Sequence, residues 1–290
     1  MIITRLIGGL GNQMFQYAAG RRLAHARGTV LKLDIVGFEV YKLRKYELEY
    51  FRINSEIAQN KELDVYKSAR SKGLLRFVYK LVPSIGPKVN FYSEKSFNFN
   101  KEILKLSENA YLTGYWQSEK YFKDIEKIIR REFEFKTRPD RGNNLLLKKI
   151  RSVNSISIHV RRGDLVTNRS TNKYHGVCPI SYYLTALKII SEKVKNPHLF
   201  IFSDDIPWVR RNFKLKLPVY FVENNQGDHS YEDLRLMQNC KHNIIANSTF
   251  SWWAAWLNPN KGKTIVAPKK WFNEKSIDTS DLIPEDWIKI

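Results

Sequence analysis

Two adjacent arginines, Arg161 and Arg162, stand in the stretch HVRRGD (residues 159–164), directly after an apolar run. A guanidinium is a planar fork of donors that grips a carboxylate or a phosphate with two parallel bonds. Two such groups at the mouth of a strand suit the holding of an anion. The plainer alternative is a structural ion pair from either arginine to Asp164 or Asp205. A second stretch, NSTFSWW (247–253), sets Asn247, Ser248, Thr249 and Phe250 between an apolar run and a helical pattern. Backbone N–H groups at a helix start are a ready anion site, and an ordinary helix cap is the bland reading of the same residues. In the third, SDD (203–205), Asp204 and Asp205 would accept hydrogen bonds from a purine edge or a ribose, or else cap the helix expected from Ile206. The fourth is GGLGNQ (8–13). Gly9 and Gly11 allow a tight turn and close backbone approach to a ligand, and Asn12 and Gln13 would then be presented to it. Met14 stands where a dinucleotide fingerprint needs a third glycine, and no Lys-Ser/Thr pair follows as in a P-loop.

Other chemistries find no support. The six histidines (25, 159, 175, 198, 229, 242) lack ligand spacing, and neither D-x-D nor G-x-S-x-G occurs. A resident metal is therefore not expected. The two cysteines, Cys178 and Cys240, are too few for a disulfide framework. The chain has no run approaching the ~20 apolar residues of a membrane span and no signal-peptide pattern, so a cytoplasmic location is expected.

Charge is the strongest bulk signal. The 290 residues hold 49 Lys and Arg against 29 Asp and Glu, a formal charge of +20. Such a field attracts phosphates, whether of a nucleic acid, an anionic lipid or a nucleotide-linked substrate. Residues 67–82, KSARSKGLLRFVYKLV, interleave basic and apolar side chains. That pattern suits peripheral contact with an anionic membrane, or a core-facing helix with a solvated basic face.

These loops need a scaffold that brings them to one edge. Strand patterns at 2–7 and 30–33 flank a helical pattern at 14–26, one β-loop-α-β unit. Residues 55–82 and 119–133 read as helical and 111–116 as a strand. The polar run 136–144 is the best linker, and it sets two domains, 1–142 and 143–290. Beyond it, strands at 155–160, 199–202, 219–222, 243–246 and 263–267 alternate with helices at 180–194, 206–213, 231–239 and 250–257. Short apolar runs alternating with amphipathic helices imply an α/β fold with a parallel sheet covered on both faces. Ligands in such sheets bind beyond the carboxyl ends of the strands, where three of the four loops fall.

Taken together, GGLGNQMFQYAAGRRLA, HVRRGD, HGVCPISYY (175–183) and YEDLRLMQNCKHNIIANSTFSWWAAWLN (231–258) closely resemble the α-1,2-fucosyltransferases of glycosyltransferase family 11. The resemblance spans both ends and the middle of the chain and fades across residues 40–110. It implies the GT-B fold, two Rossmann-like domains facing across a cleft. The N-terminal domain would lie on the acceptor side and the C-terminal one would bind GDP-fucose. It also implies an inverting, metal-independent transfer from GDP-β-L-fucose to the 2-hydroxyl of a galactose-terminated glycan, in bacterial surface-polysaccharide synthesis such as that of O-antigen. Carried onto this sequence, Arg161 pairs with the β-phosphate and His159 sits near the nucleotide. Asp204 or Asp205 reads the guanine, and Ser248, Thr249 and Phe250 donate to the phosphates. Asn12 occupies a functional position of the first loop. For the general base, Asp164 and His175 are the candidates, and the leaving phosphate is a third. Two other classes compete: a transferase using another nucleotide sugar, and a basic nucleic-acid-binding protein. No recognisable nucleic-acid module is present, so nucleic acid is not an expected partner.

Overall fold

The computed structural model describes residues 1–40, 43–70, 90–225, 227–274 and 276–290. It divides into two compact units, Met1–Lys136 and Thr137–Ile290. The boundary expected at 142/143 falls inside a helix, Arg141–Ser152. Its first turn, Arg-Gly-Asn-Asn, is poor in helix formers and reads as linker. The helix starts there because the Asp140 carboxylate accepts the Asn143 N–H at 2.8 Å.

In the first unit, β1 (Ile2–Arg5), β2 (Leu31–Asp34), β3 (Glu56–Ile57), β4 (Asn90–Ser93) and β5 (Ala110–Thr113) form one parallel sheet. Their order is β3-β2-β1-β5-β4. The chain starts in the middle, builds outward on one side, then crosses to the other, so the order reverses between β1 and β5. After β1 the chain turns at Gly8, whose φ of +77° suits glycine. Helix Leu10–Ala26 begins inside GGLGNQ, not at residue 14. The Gly9 carbonyl receives the N–H groups of Asn12 and Gln13 at 2.9 and 3.1 Å. Most of this helix is buried, with Met14, Phe15, Tyr17, Ala18 and Leu23 fully enclosed and the polar Gln13 and Gln16 buried beside them. The helix expected over 119–133 is broken into two 3-10 turns, Glu119–Tyr121 and Lys123–Ile125, before Glu126–Glu132. Tyr121, Phe122 and Ile125 are all buried there. The basic stretch 67–82 lies outside the described residues, apart from the backbone ending helix Asn60–Arg70. No described helix is long and apolar enough to cross a membrane.

In the second unit, the strands are β6 (Asn154–Val160), β7 (Pro197–Ser203), β8 (Val219–Val222), β9 (His242–Ile244), β10 (Ile265–Ala267) and β11 (Ile288–Lys289). They form a parallel sheet in the order β11-β10-β9-β6-β7-β8. The order reverses between β6 and β9. The two residues of β11 carry too little periodicity to be read from sequence, and they pair beside β10, the strand expected to be last. One face of β6 and β7 (Ile156, Ile158, Val160, Leu199, Ile201) packs on Tyr183, Ala186, Leu187 and Ile190 of helix Ile180–Ser191 and on Val209 and Phe213. Successive side chains of a strand alternate between faces, so Ser155, Ser157 and His159 turn to the other side. There the Asn243 amide donates to Ser157 Oγ at 2.7 Å and to the Met237 carbonyl at 2.9 Å. Trp252 and Trp253 are core: both are fully buried, and Trp252 Nε1 donates to the Leu282 carbonyl at 2.9 Å.

Candidate active site

Strand register builds the site. Val160 at the end of β6 lies opposite Ser203 at the end of β7. The next two residues of each strand therefore meet, Arg161 beside Asp204 and Arg162 beside Asp205. Arg161 Nη1 donates to Asp204 Oδ2 at 2.5 Å. Arg162 donates through its backbone N–H to Asp204 Oδ1 at 2.7 Å and through Nε to Asp205 Oδ2 at 3.1 Å. The Arg162 guanidinium also lies over the Trp208 ring, 3.8 Å from its centroid. Asp205 caps helix Ile206–Asn212 by accepting the Trp208 N–H at 3.1 Å. The two neighbouring arginines thus differ. Arg162 is clamped between a carboxylate and an indole, while Arg161 stays on the rim with 24% of its side chain exposed. Gly163 makes this packing feasible, because a Cβ there would sit 2.6 Å from Asp204 Oδ2.

On the other side of β6, Ile158 pairs with Ile244 at the end of β9. The NSTF stretch therefore runs out beside HVRRGD, across the point where the strand order reverses. Ser248 is the N-cap of helix Thr249–Leu257, and the Trp252 N–H returns to its carbonyl at 3.0 Å. The first-turn N–H groups of that helix have no carbonyl one turn back to bond, so their dipoles favour an anion at the rim. The His159 ring lies 5.8 Å from the Phe250 ring. It is 7% exposed, and its Nδ1 has no hydrogen-bond partner. Burial pushes the His159 imidazole down to about 4, with Asp204 opposing the shift and Arg161 adding to it. It is therefore neutral at physiological pH.

Asn247 does something the sequence did not suggest. Its Nδ2 donates to the carbonyls of His175, Gly176 and Trp271 at 3.0, 3.3 and 3.1 Å, and its Oδ1 accepts from Cys178 Sγ at 3.5 Å. It pins the HGVC loop to the start of the NSTF stretch. His175 ends helix Arg169–His175, with its ring 5.3 Å from Phe272. Beside it opens a cavity of about 420 Å³, lined in part by His175, Cys178, Tyr182, Asn247, Lys270 and Asn273. Burial pushes the Cys178 thiol up to about 11, which keeps it protonated. Asp164 lies in the short helix Gly163–Thr167, and its side chain falls outside the described part. Among the described residues, no three His, Cys, Asp or Glu side chains come together as metal ligands.

Gly9, Gly11 and Asn12 belong to the first unit, at the carboxyl edge of its own sheet. Asn12 Oδ1 accepts from Gln117 Nε2 at 3.0 Å, across the reversal between β1 and β5. Gln13, expected to be presented to a ligand, is instead fully buried. Its amide bonds the Gly8 and Lys45 carbonyls and the Glu47 N–H, so it ties down a loop. Two contributors were not read from the sequence, Trp208 and Gln117. Gln117 and Trp208 each follow an expected strand within a few residues, which was the available signal.

The family profile described as Glycosyl transferase family 11 matches residues 88–290. The alpha-1,2-colitosyltransferase of Escherichia coli is 35% identical over 303 residues, covering 100% of this chain and 99% of the relative. The O-antigen biosynthesis glycosyltransferase WbnK of Escherichia coli is 34% identical over 303 residues, covering 98% and 99%. Among solved structures, NodZ alpha-1,6-fucosyltransferase soaked with GDP-fucose aligns with a TM-score of 0.51 at 15% identity, over 89% of this chain and 92% of that one. NodZ comes from Bradyrhizobium. At that identity the likeness speaks for the fold, and the two parallel α/β units are those of a GT-B glycosyltransferase.

Proposed function

The chain belongs to glycosyl transferase family 11, and on that premise we propose that it moves L-fucose from GDP-β-L-fucose to the 2-hydroxyl of a terminal galactose. The observation that carries this reading is the rim of the second unit. There the Arg161 guanidinium stands at the end of β6, and the N-terminus of helix Thr249–Leu257 follows the neighbouring strand β9. The transfer breaks the bond between the anomeric carbon and a phosphate oxygen, and negative charge gathers on the departing GDP. Arg161 and the first-turn N–H groups at Thr249 and Phe250 meet that charge, so the reaction runs without a metal ion. His159, kept neutral, adds apolar contact and no competing charge. Arg162 and Asn247 hold the two loops in place, and Asp204 or Asp205 contacts the guanine. The galactose oxygen attacks from the opposite face and inverts the anomeric carbon. Asp164 or His175 takes its proton, with the leaving phosphate as the alternative. The second unit serves the donor. The first, with Gly9, Gly11 and Asn12, serves the acceptor.

A second reading keeps the reaction and changes the sugar. The relative at 35% identity is an alpha-1,2-colitosyltransferase, and colitose is fucose without its 3-hydroxyl. The test is incubation with GDP-fucose and with GDP-colitose against a panel of galactose-terminated oligosaccharides, with and without a chelator, followed by linkage analysis. An α-1,2-fucoside formed in the presence of chelator is the expected product. A colitoside formed in preference moves the donor to the second reading. Transfer that stops with chelator and returns with manganese overturns the role given to Arg161.

A further inference from the structure

The corner Gly114-Tyr115-Trp116-Gln117 leaves β5 where the strand order of the first sheet reverses, and no step of the transfer described above uses it. Its backbone is strained. Trp116 has φ +56° with a fully buried side chain, a conformation that bulky residues adopt only when their surroundings impose it. Glu94, one residue past β4, imposes it. Its Oε2 accepts the Tyr115 N–H at 2.6 Å and its Oε1 the Trp116 N–H at 3.0 Å. Directly after this pair the chain presents an amide, Gln117, which is 5% exposed. Its Nε2 is spent on Asn12 Oδ1, and its Oε1 has no hydrogen-bond partner. Buried amide oxygens are rarely left unmatched, so this one marks a place for a further donor. Tyr115 is 36% exposed, and its ring lies parallel to that of Phe97, with centroids 6.1 Å apart.

An exposed aromatic face beside side-chain amides suits a neutral polyol. The C–H face of a sugar ring lies on the aromatic ring, and its hydroxyls bond the amides. A phosphate would call for the guanidinium and helix N-terminus found in the second unit. We propose that this corner is a contact site for the acceptor glycan, with Tyr115 carrying a sugar ring, the Gln117–Asn12 pair bonding one of its hydroxyls, and Glu94 as the positioning residue. The proposal rests on the transfer reading above and assigns the acceptor's place within it.

Tyr115→Ala, Tyr115→Phe and Gln117→Leu test it, with thermal melting as the folding control. Acceptor KM is measured with lactose and methyl β-galactoside, and GDP affinity by calorimetry. Tyr115→Ala should raise acceptor KM about tenfold, the size of one lost aromatic contact, with GDP affinity unchanged. Tyr115→Phe should stay near wild type, and Gln117→Leu should raise acceptor KM without moving GDP affinity. Acceptor KM within twofold of wild type in folded Tyr115→Ala and Gln117→Leu overturns the proposal, as does a parallel loss of GDP affinity. Should the wild-type protein bind GDP yet transfer to no galactoside, the galactose reading falls. The corner is then judged by glycan-array binding: weaker binding by Tyr115→Ala upholds it, and equal binding or none by wild type overturns it.

Discussion

Acidification should cost the folded protein free energy at one identifiable side chain, His159. Its imidazole titrates at about 4 in the folded protein against an ordinary value of 6.5, with burial as the leading cause. In the unfolded chain the ring takes up a proton as pH falls through 6.5, while the folded protein refuses it until about 4. The stability tied to the neutral ring is therefore complete above 6.5, falls through that window and levels off below it. A difference of some two and a half pKa units corresponds to about 3 kcal/mol. The assay is urea unfolding at a series of pH values across the window, comparing wild type with His159→Gln, which cannot titrate. Stability of the wild type should fall by about 2–3 kcal/mol more than that of the variant across the window. Parallel curves would refute the reasoning, because they would mean that the ring protonates in the folded state as readily as in water.

Three other outcomes are expected. Arg161→Lys should lower kcat about 10²–10³-fold with folding intact, since a point charge cannot reproduce the fork; steady-state kinetics with GDP-fucose decide it. Gly163→Ala should raise donor KM and lower kcat together, because its Cβ meets the carboxylate of Asp204 at 2.6 Å and pushes it off Arg161. Wild-type kinetics in that variant would mean that the Arg161–Asp204 pair does not set the rim. Asn247→Ala should destabilise the protein by about 2–4 kcal/mol in urea unfolding, because three backbone carbonyls lose their donor.

The second unit was largely legible in the sequence because its strands are short apolar runs bounded by polar loops. The pattern SISIHV places β6 within a residue, and SDD and NSTF then follow strands at one edge. The sequence does not carry the register of β6 on β7, and that register alone sets Arg161 against Asp204 and Arg162 against Asp205. Which arginine becomes a fixture was equally hidden, because Trp208 is brought under Arg162 by a helix forty-odd residues downstream. Gln13 was misjudged for a related reason: glycines around it suggested an open loop, but the helix begins at Leu10 and turns Gln13 inward. Glu94 and Trp116 left no trace, since a left-handed buried tryptophan is imposed by its tertiary partners.

The amide of Asn247 gives the second unit a mechanical property. One side chain rivets two separate stretches, the adjacent His175 and Gly176 and the more distant Trp271, to the residue just before the N-cap of helix Thr249–Leu257. The wall of the neighbouring cavity and the entry to that helix are then held by the same amide.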